Sequence, residues 1–242
     1  MREYINDSLV NSDYYWDRVT TTVMGQYLTQ VEENFIQECL TLHLTKPAVI
    51  FDVGGGTGKF AIPIYRNGYR VIVEETDFLP LKILHHREPA IPIILLDSKT
   101  KHFPIKESSV NCVLCIEVIP LTESKWLFSE CNRILKQNGI FIFTTHNRYS
   151  YKGFYKKLLL KEDLSKYHWK KFHYVSSFQQ MKLRLKNADF KLIRAKGFNW
   201  LPASRASNNE LIPYFALIEK LLCLDLLLSL SPWIIIEARK IK

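Results

Sequence analysis

The stretch Val49-Ile50-Phe51-Asp52-Val53-Gly54-Gly55-Gly56-Thr57-Gly58-Lys59-Phe60 decides the fold. Val49 to Val53 is the short apolar run expected of a strand buried in a parallel sheet. Glycines directly behind it permit a tight turn and let a ligand approach the backbone with no Cβ in the way. A helix is expected from Phe60, and its N-terminus adds unpaired N–H groups and the positive end of a dipole. Strand, turn and helix together predict a cradle for a small polar cofactor.

Two cofactors fit such a cradle. Gly56-x-Gly58-x-x-Ala61 satisfies the dinucleotide pattern, which keeps an NAD-dependent oxidoreductase open. The longer pattern is Asp52-x-Gly54-x-Gly56-x-Gly58, with the acid as the last polar residue of the strand. It resembles motif I of the class I S-adenosylmethionine-dependent methyltransferases, of the small-molecule and lipid type found in quinone biosynthesis. The resemblance implies a Rossmann-like α/β fold. Its sheet has seven mostly parallel strands with helices on both faces and a final antiparallel strand. It also implies that Asp52 orients the turn and meets the methionine end of S-adenosyl-L-methionine, while Gly54, Gly55, Gly56 and Gly58 lie along its methionine and ribose.

Further along, Tyr69 to Glu75 reads as a second strand ending in acids. The family places an acid there on the ribose hydroxyls, a role suited to a carboxylate with two acceptor oxygens. Glu75 lies 21 residues past Gly54, near the roughly 20 of such βαβ units. Matching Gly68-Tyr69-Arg70-Val71 to the family's lead-in favours Glu75 over Glu74, with Thr76 beside it. A third strand, Ile91 to Leu96, precedes Asp97-Ser98, where the family sets an acid against the adenine amino group. Cys112 to Ile116 is the fourth strand, and Glu117 caps it beside the cofactor. Pro120-Leu121 stands where the family often has a His.

The remaining elements follow from periodicity. Val31 to Leu44 has helical spacing, and Asp13-Tyr14-Tyr15-Trp16-Asp17-Arg18 resembles the N-terminal cap that many family members fold over the cofactor. Phe60 to Arg66 should be a short helix, limited by Pro63 and ended by Asn67-Gly68. Trp126 to Leu135 is amphipathic, and the turn after it needs Asn138 to accept a positive φ. Ile140 to Thr144 is strand five, while Asp189 to Ala195 and Trp233 to Ala238 read as a final antiparallel pair. An apolar helix is expected over Leu211 to Leu228. The chain therefore reads as one domain over residues 1–242. It comprises a helical cap (1–45), a cofactor-binding half (46–147), a basic and aromatic insertion (148–180), and C-terminal strands (181–242) with a helical insertion at about 207–230.

An apolar content of 47% is ample for a core. The five cysteines are odd in number and scattered, which points to a reducing compartment. Cys112-x-x-Cys115 falls on a strand, where residues three apart face opposite ways, so both read as core. Residues 1–20 carry no apolar signal region, so the expected location is cytoplasmic, with peripheral membrane contact as an extension. No metal is expected, because no ligand spacing suggests one.

Charge is uneven. Arg148 to Lys196 holds 14 Lys or Arg against three acids, whereas the remainder has 19 bases and 21 acids. Tyr151, Phe154, Tyr155, Leu158 and Leu159 recur at helical spacing with Lys152, Lys156 and Lys157 opposite. Bases interleaved with aromatics, Trp169 included, suit an acidic or lipid-borne acceptor at a membrane surface through 151–171. Single-stranded nucleic acid has the same general demands. However, the chain lacks the Pro-rich motif of amino-methylating nucleic-acid enzymes and any Pro-Cys pair. The expected reaction is in-line methyl transfer to a small-molecule or lipid-like acceptor. His146, just past strand five, is the candidate base. A non-catalytic adaptor using the same fold stays open.

Overall fold

A computed structural model describes residues 14–159 and 171–241. The start of the expected cap, including Asp13, and the 160–170 part of the insertion, with Trp169, lie outside the described residues. The elements run α1 (Tyr15–Thr20), α2 (Val23–His43), β1 (Val49–Val53), α3 (Ala61–Arg66), β2 (Arg70–Glu75), α4 (Phe78–Arg87) and β3 (Ile93–Leu95). They continue with β4 (Val110–Cys115), α5 (Ile119–Thr122), α6 (Trp126–Ile134), β5 (Leu135–His146), α7 (Tyr151–Leu159), α8 (Phe178–Asn187), β6 (Phe190–Phe198), α9 (Ile212–Leu221) and β7 (Trp233–Lys240). The seven strands form one sheet in the order β3-β2-β1-β4-β5-β7-β6. Strands β1 to β5 pair in parallel, and β7 runs antiparallel to both its neighbours, β5 and β6.

Each face of the sheet buries its own core. Ile50, Cys112, Leu114, Ile140 and Ile142 pack under α2 and α3, with Met24, Leu28, Phe35 and Ile64 above them. Phe51, Val53, Val113, Cys115, Phe141 and Phe143 pack on the other face against Leu127, Phe128, Met181 and Leu185 of α6 and α8. The strand alternation therefore puts Cys112 and Cys115 in different cores, both as free thiols. Phe128 meets Phe141 and Phe143 edge-on at 5.8 and 5.5 Å between centroids, a favoured aromatic geometry.

Local chemistry sets the boundaries. Thr22 caps α2 through its side chain, which accepts the Gly25 N–H. Ser177 and Gln180 form a reciprocal capping box on α8. Pro63 falls in the first turn of α3, where no N–H is needed, and the helix stops within six residues. Asn138 takes φ 61° at the start of the β5 hairpin-like lead-in. The expected helix over Leu211 to Leu228 is shorter. It ends at Leu221, Cys223 turns to φ 50°, and a 3₁₀ turn covers Leu224–Leu226. The break returns the chain to the sheet: the Asn147 side-chain amide donates to the Leu228 and Ser229 carbonyls.

One buried acid ties the cap helix to the sheet. Glu237 on β7 is fully buried and accepts from Arg194 Nε at 2.9 Å and from Cys39 Sγ at 3.3 Å. The same guanidinium reaches Glu38 and the Phe35 carbonyl on α2. Removing one partner of a buried ion pair leaves the other uncompensated. Glu237→Ala is expected to cost about 3 kcal/mol in urea unfolding, whereas Glu38→Ala, at the exposed end, should cost under about 1 kcal/mol.

Candidate active site

The strand order reverses between β1 and β4, and ligands of open α/β sheets bind beyond the strand ends at such a point. A cavity of about 500 Å³ lies there. Gly54 and Gly55 both donate their N–H to the Glu74 carbonyl, at 2.8 and 3.1 Å, which bends the turn out of β1. Gly54 adopts φ 66°, and a Cβ there would strike the Val118 side chain at 2.5 Å. Gly56 adopts φ 57° with nothing within 4 Å of its would-be Cβ, so its backbone faces open space.

Of the residues expected from sequence, Asp52, Gly54, Gly55, Gly56, Glu75, Glu117 and His146 line this cavity. Gly58, Thr76, Asp97 and Ser98 are not among its lining residues. Thr76 gives its N–H to Glu75 Oε1 at 2.7 Å, which steadies that carboxylate. The Asp97 carboxylate turns back on its own loop, accepting the Lys99 N–H at 2.8 Å. Glu74 is buried behind the strand, whereas Glu75 reaches the cavity.

The acids here are electrostatically crowded. Burial, then the charge of Glu75, pushes the Asp52 carboxyl up to about 7, with Lys59 opposing. Burial and Glu75 likewise raise Glu74 to about 7. Asp52 Oδ2 and Glu117 Oε1 are buried without a hydrogen-bond partner, an arrangement that calls for a donor from elsewhere. Glu117 sits at φ 63°, held by its N–H to Thr144 Oγ1 at 2.6 Å.

The stretch that the sequence suggested as a cap lines this cavity through Tyr14 to Asp17, whereas nothing in the sequence pointed to Arg205. Asp17 on α1 accepts from Thr57 Oγ1 at 2.5 Å and from Arg87 at 2.7 Å, fastening the cap helix over the glycine turn. Tyr14, Tyr15 and Trp16 line the cavity from the same element. Lys59 reaches the fully buried Glu32 of α2 at 3.2 Å. Arg205, from the β6–α9 loop, pairs with Glu117.

His146 is buried, and its ring stacks on Tyr174 and Trp233, each at 4.8 Å between centroids, with His173 edge-on at 4.5 Å. Burial, then the charges of His173, Lys152 and Lys156, holds its pKa well below the ordinary value. The ring is thus held in its neutral form.

A second cavity of about 660 Å³ opens between α7 and the 199–205 loop. It shares His173, Arg205 and Trp233 with the first. Among the described residues no cluster of His, Cys, Asp or Glu could hold a metal ion. No described helix is long and apolar enough to cross a membrane.

Residues 51–143 match a family model described as a methyltransferase domain. No curated protein matches the chain. Among solved structures, an S-adenosylmethionine-dependent methyltransferase of Thermotoga maritima is 17% identical, with a TM-score of 0.59 over 93% of each chain. A Galdieria sulphuraria protein provisionally named a sarcosine dimethylglycine methyltransferase is 18% identical, with a TM-score of 0.63 over 87% of this chain and 86% of that one. A phosphoethanolamine N-methyltransferase of Haemonchus contortus, solved with S-adenosylhomocysteine, is 14% identical with a TM-score of 0.59, over 93% of this chain and 59% of that one. At these identities the likeness is one of fold. Residues 51–143 thus carry a methyltransferase domain, and the chain shares its fold with solved S-adenosylmethionine-dependent methyltransferases.

Proposed function

We propose that the protein transfers a methyl group from S-adenosyl-L-methionine to a small or lipid-like acceptor held in the second cavity. The observation that carries this reading is the pair of adjoining cavities with a common wall at His173, Arg205 and Trp233. One has the acids and open glycine turn suited to the cofactor, and the other has no acid among its described lining residues.

The residues present fit the cofactor. Asp52 offers a buried oxygen without a partner, Glu75 a carboxylate steadied by Thr76, and Gly56 an unobstructed backbone. Asp52 would accept from the ammonium of the methionine end, and Glu75 from the ribose diol. Asp97 would meet the adenine amino group through Oδ2, because Oδ1 accepts the Lys99 N–H. The cofactor supplies a methyl group already activated on a sulfonium. What is asked of the protein is mostly alignment, which can contribute about 7–11 kcal/mol. Tyr14, Tyr15 and Trp16 wall the cavity on the α1 side. His146 Nδ1 is buried without a partner on a neutral ring. It can take a proton as a weak base, which suffices for an acceptor whose proton becomes acidic as its new bond forms.

Peripheral membrane contact follows from what surrounds the second cavity. Tyr155 and Lys152 of α7 line it, while Phe154 and Leu158 on the same helix are exposed. Beyond it α9 leaves Tyr214, Leu217, Leu221 and Leu222 to solvent, Leu221 at 71% exposure. The two helices meet around Trp200, whose carbonyl accepts from Tyr151 and whose N–H donates to Glu219. Large exposed apolar patches mark interaction surfaces, and lysines beside them favour an anionic one.

An extract incubated with labelled methyl donor should reveal the acceptor in its lipid or small-molecule fraction; a label found only in nucleic acid or protein would defeat this assignment. Replacing Lys152, Lys156 and Lys157 by Gln should lower binding to phosphatidylserine vesicles about tenfold or more, since each base is worth about 1 kcal/mol there. Affinity for S-adenosylhomocysteine should stay unchanged by calorimetry.

Asp52→Ala and Glu75→Ala should each weaken the cofactor at least about tenfold by leaving its donors without acceptors. Cofactor affinity should also depend on pH. Because the cationic ammonium prefers an ionised Asp52 with its pKa about 7, affinity should fall close to tenfold from pH 8 to pH 6. Stability without cofactor should run the other way. The folded carboxyl binds its proton more tightly than the unfolded one, so its contribution is greatest below about pH 4 and is lost as pH rises through 7. Asp52→Asn should flatten both profiles in calorimetry and thermal unfolding.

A further inference from the structure

Arg205 is placed with unusual care for a loop residue. Its carbonyl accepts from Thr22 Oγ1 at 2.6 Å, and two residues on, the Ser207 carbonyl accepts the Met24 N–H at 3.0 Å. Asn208 Oδ1 accepts the Val23 N–H, so the loop is bolted to the first turn of α2. The side chain is only 12% exposed and reaches into the common wall of the two cavities.

There the guanidinium is half used. Its Nη1 meets Glu117 on the cofactor side, and the indole of Trp233 lies 5.9 Å away. Nε and Nη2 are both buried and have no acceptor. Those two N–H groups point along one edge and form the side-on fork that grips a carboxylate or phosphate in two parallel bonds. A buried donor without a partner is costly, and here two are left together, side by side. Lys152 and Lys156 line the same cavity, and among the described residues no acid does. Lys152 is held by Asn199 Oδ1 at 2.7 Å.

We propose that the open Nε–Nη2 edge of Arg205, with Lys152 in the same cavity, is the receptor for an anionic group, a carboxylate or a phosphate, on the methyl acceptor. This rests on the reading of the second cavity as the acceptor site. It narrows the acceptor to molecules that carry such a group close to the atom that is methylated, because the fork sits in the wall shared with the cofactor cavity. The methionine carboxylate of the cofactor is the rival occupant. Against it, Glu117, which lines the cofactor cavity, already takes Nη1.

The test uses the full chain saturated with S-adenosylhomocysteine, so that any carboxylate the cofactor brings is already in place. Inorganic phosphate is then titrated by calorimetry and by thermal unfolding. Phosphate should bind the wild-type complex, and Arg205→Gln should weaken it about tenfold or more, while its affinity for S-adenosylhomocysteine stays within about threefold. Arg205→Lys keeps the charge but not the fork. It should also lose most of the phosphate affinity, and it serves as the readout if the Gln variant does not fold. Equal phosphate binding in wild type and both variants would overturn the proposal. So would a loss of S-adenosylhomocysteine binding in the variants with 5′-methylthioadenosine, which lacks the amino acid, bound as before; the fork would then belong to the cofactor. Failure of wild type to bind S-adenosylhomocysteine at all would instead overturn the methyl-transfer reading, and this proposal with it.

Discussion

A single carbonyl organises this molecule. Glu74 O accepts from both Gly54 and Gly55, and in doing so it fixes the bend that ends β1 against the neighbouring strand β2. Everything polar in the first cavity is referenced to that bend. Asp52 is the last polar residue before it, Glu75 is one residue beyond the carbonyl, and Lys59 leaves the far side of the turn towards Glu32. The register Asp52 to Val73 and Val53 to Glu74 means that a slip of one residue would exchange Glu75 for Glu74 in the cavity. The parallel pairing thus decides which carboxylate is offered and which is buried.

Such crowding has an electrostatic consequence. Three carboxylates, on Asp52, Glu74 and Glu75, gather at two strand ends with one nearby amine, Lys59, itself drawn towards Glu32 and Glu117. Burial and mutual repulsion hold two of them, Asp52 and Glu74, at about 7. A pocket in that state is relieved by a cation, and a ligand with an ammonium and a sulfonium brings two. The ligand-free protein therefore stores at its site an unfavourable charge arrangement that binding removes.

The sequence was most legible where function rests on neighbours in the chain. The strand before Asp52, the glycine alternation, the short helix limited by Pro63 and the positive φ demanded of Asn138 are all local, and each can be argued from residue type alone. So can the opposed faces of Cys112 and Cys115, a matter of strand period. Legibility fails where the partner is distant. Arg205 meets Glu117 across 88 residues, and no spacing announces that pairing. His173 meets His146 across 27 residues, where residues 171–176 lie against the end of β5. Apolar content also misled over Leu211 to Leu228, since it cannot say where a surface segment must turn. The chain breaks at Cys223 because Asn147 claims the Leu228 and Ser229 carbonyls. Asp97, which the family resemblance sets against the adenine, also accepts the Lys99 N–H through Oδ1, a common use of a loop Asp.

The division of charge between the two cavities argues for their working as one site. Four acids (Asp17, Asp52, Glu75 and Glu117) line the first with Lys59 and Arg205, and among the described residues bases without acids (Lys152, Lys156 and Arg205) line the second. Arg205 and Glu117 face each other at the boundary. A cationic donor and an anionic acceptor would each be drawn to its own side, and fixed charges of this kind need no reorganisation once the reactants are in place. In the proposed transfer the sulfonium would lose its charge as its methyl group crossed the boundary. The acids that favour the cation would then hold the thioether product less well, so the charges that gather the reactants would also favour release of the spent cofactor. A pocket lined by one sign throughout could not do both.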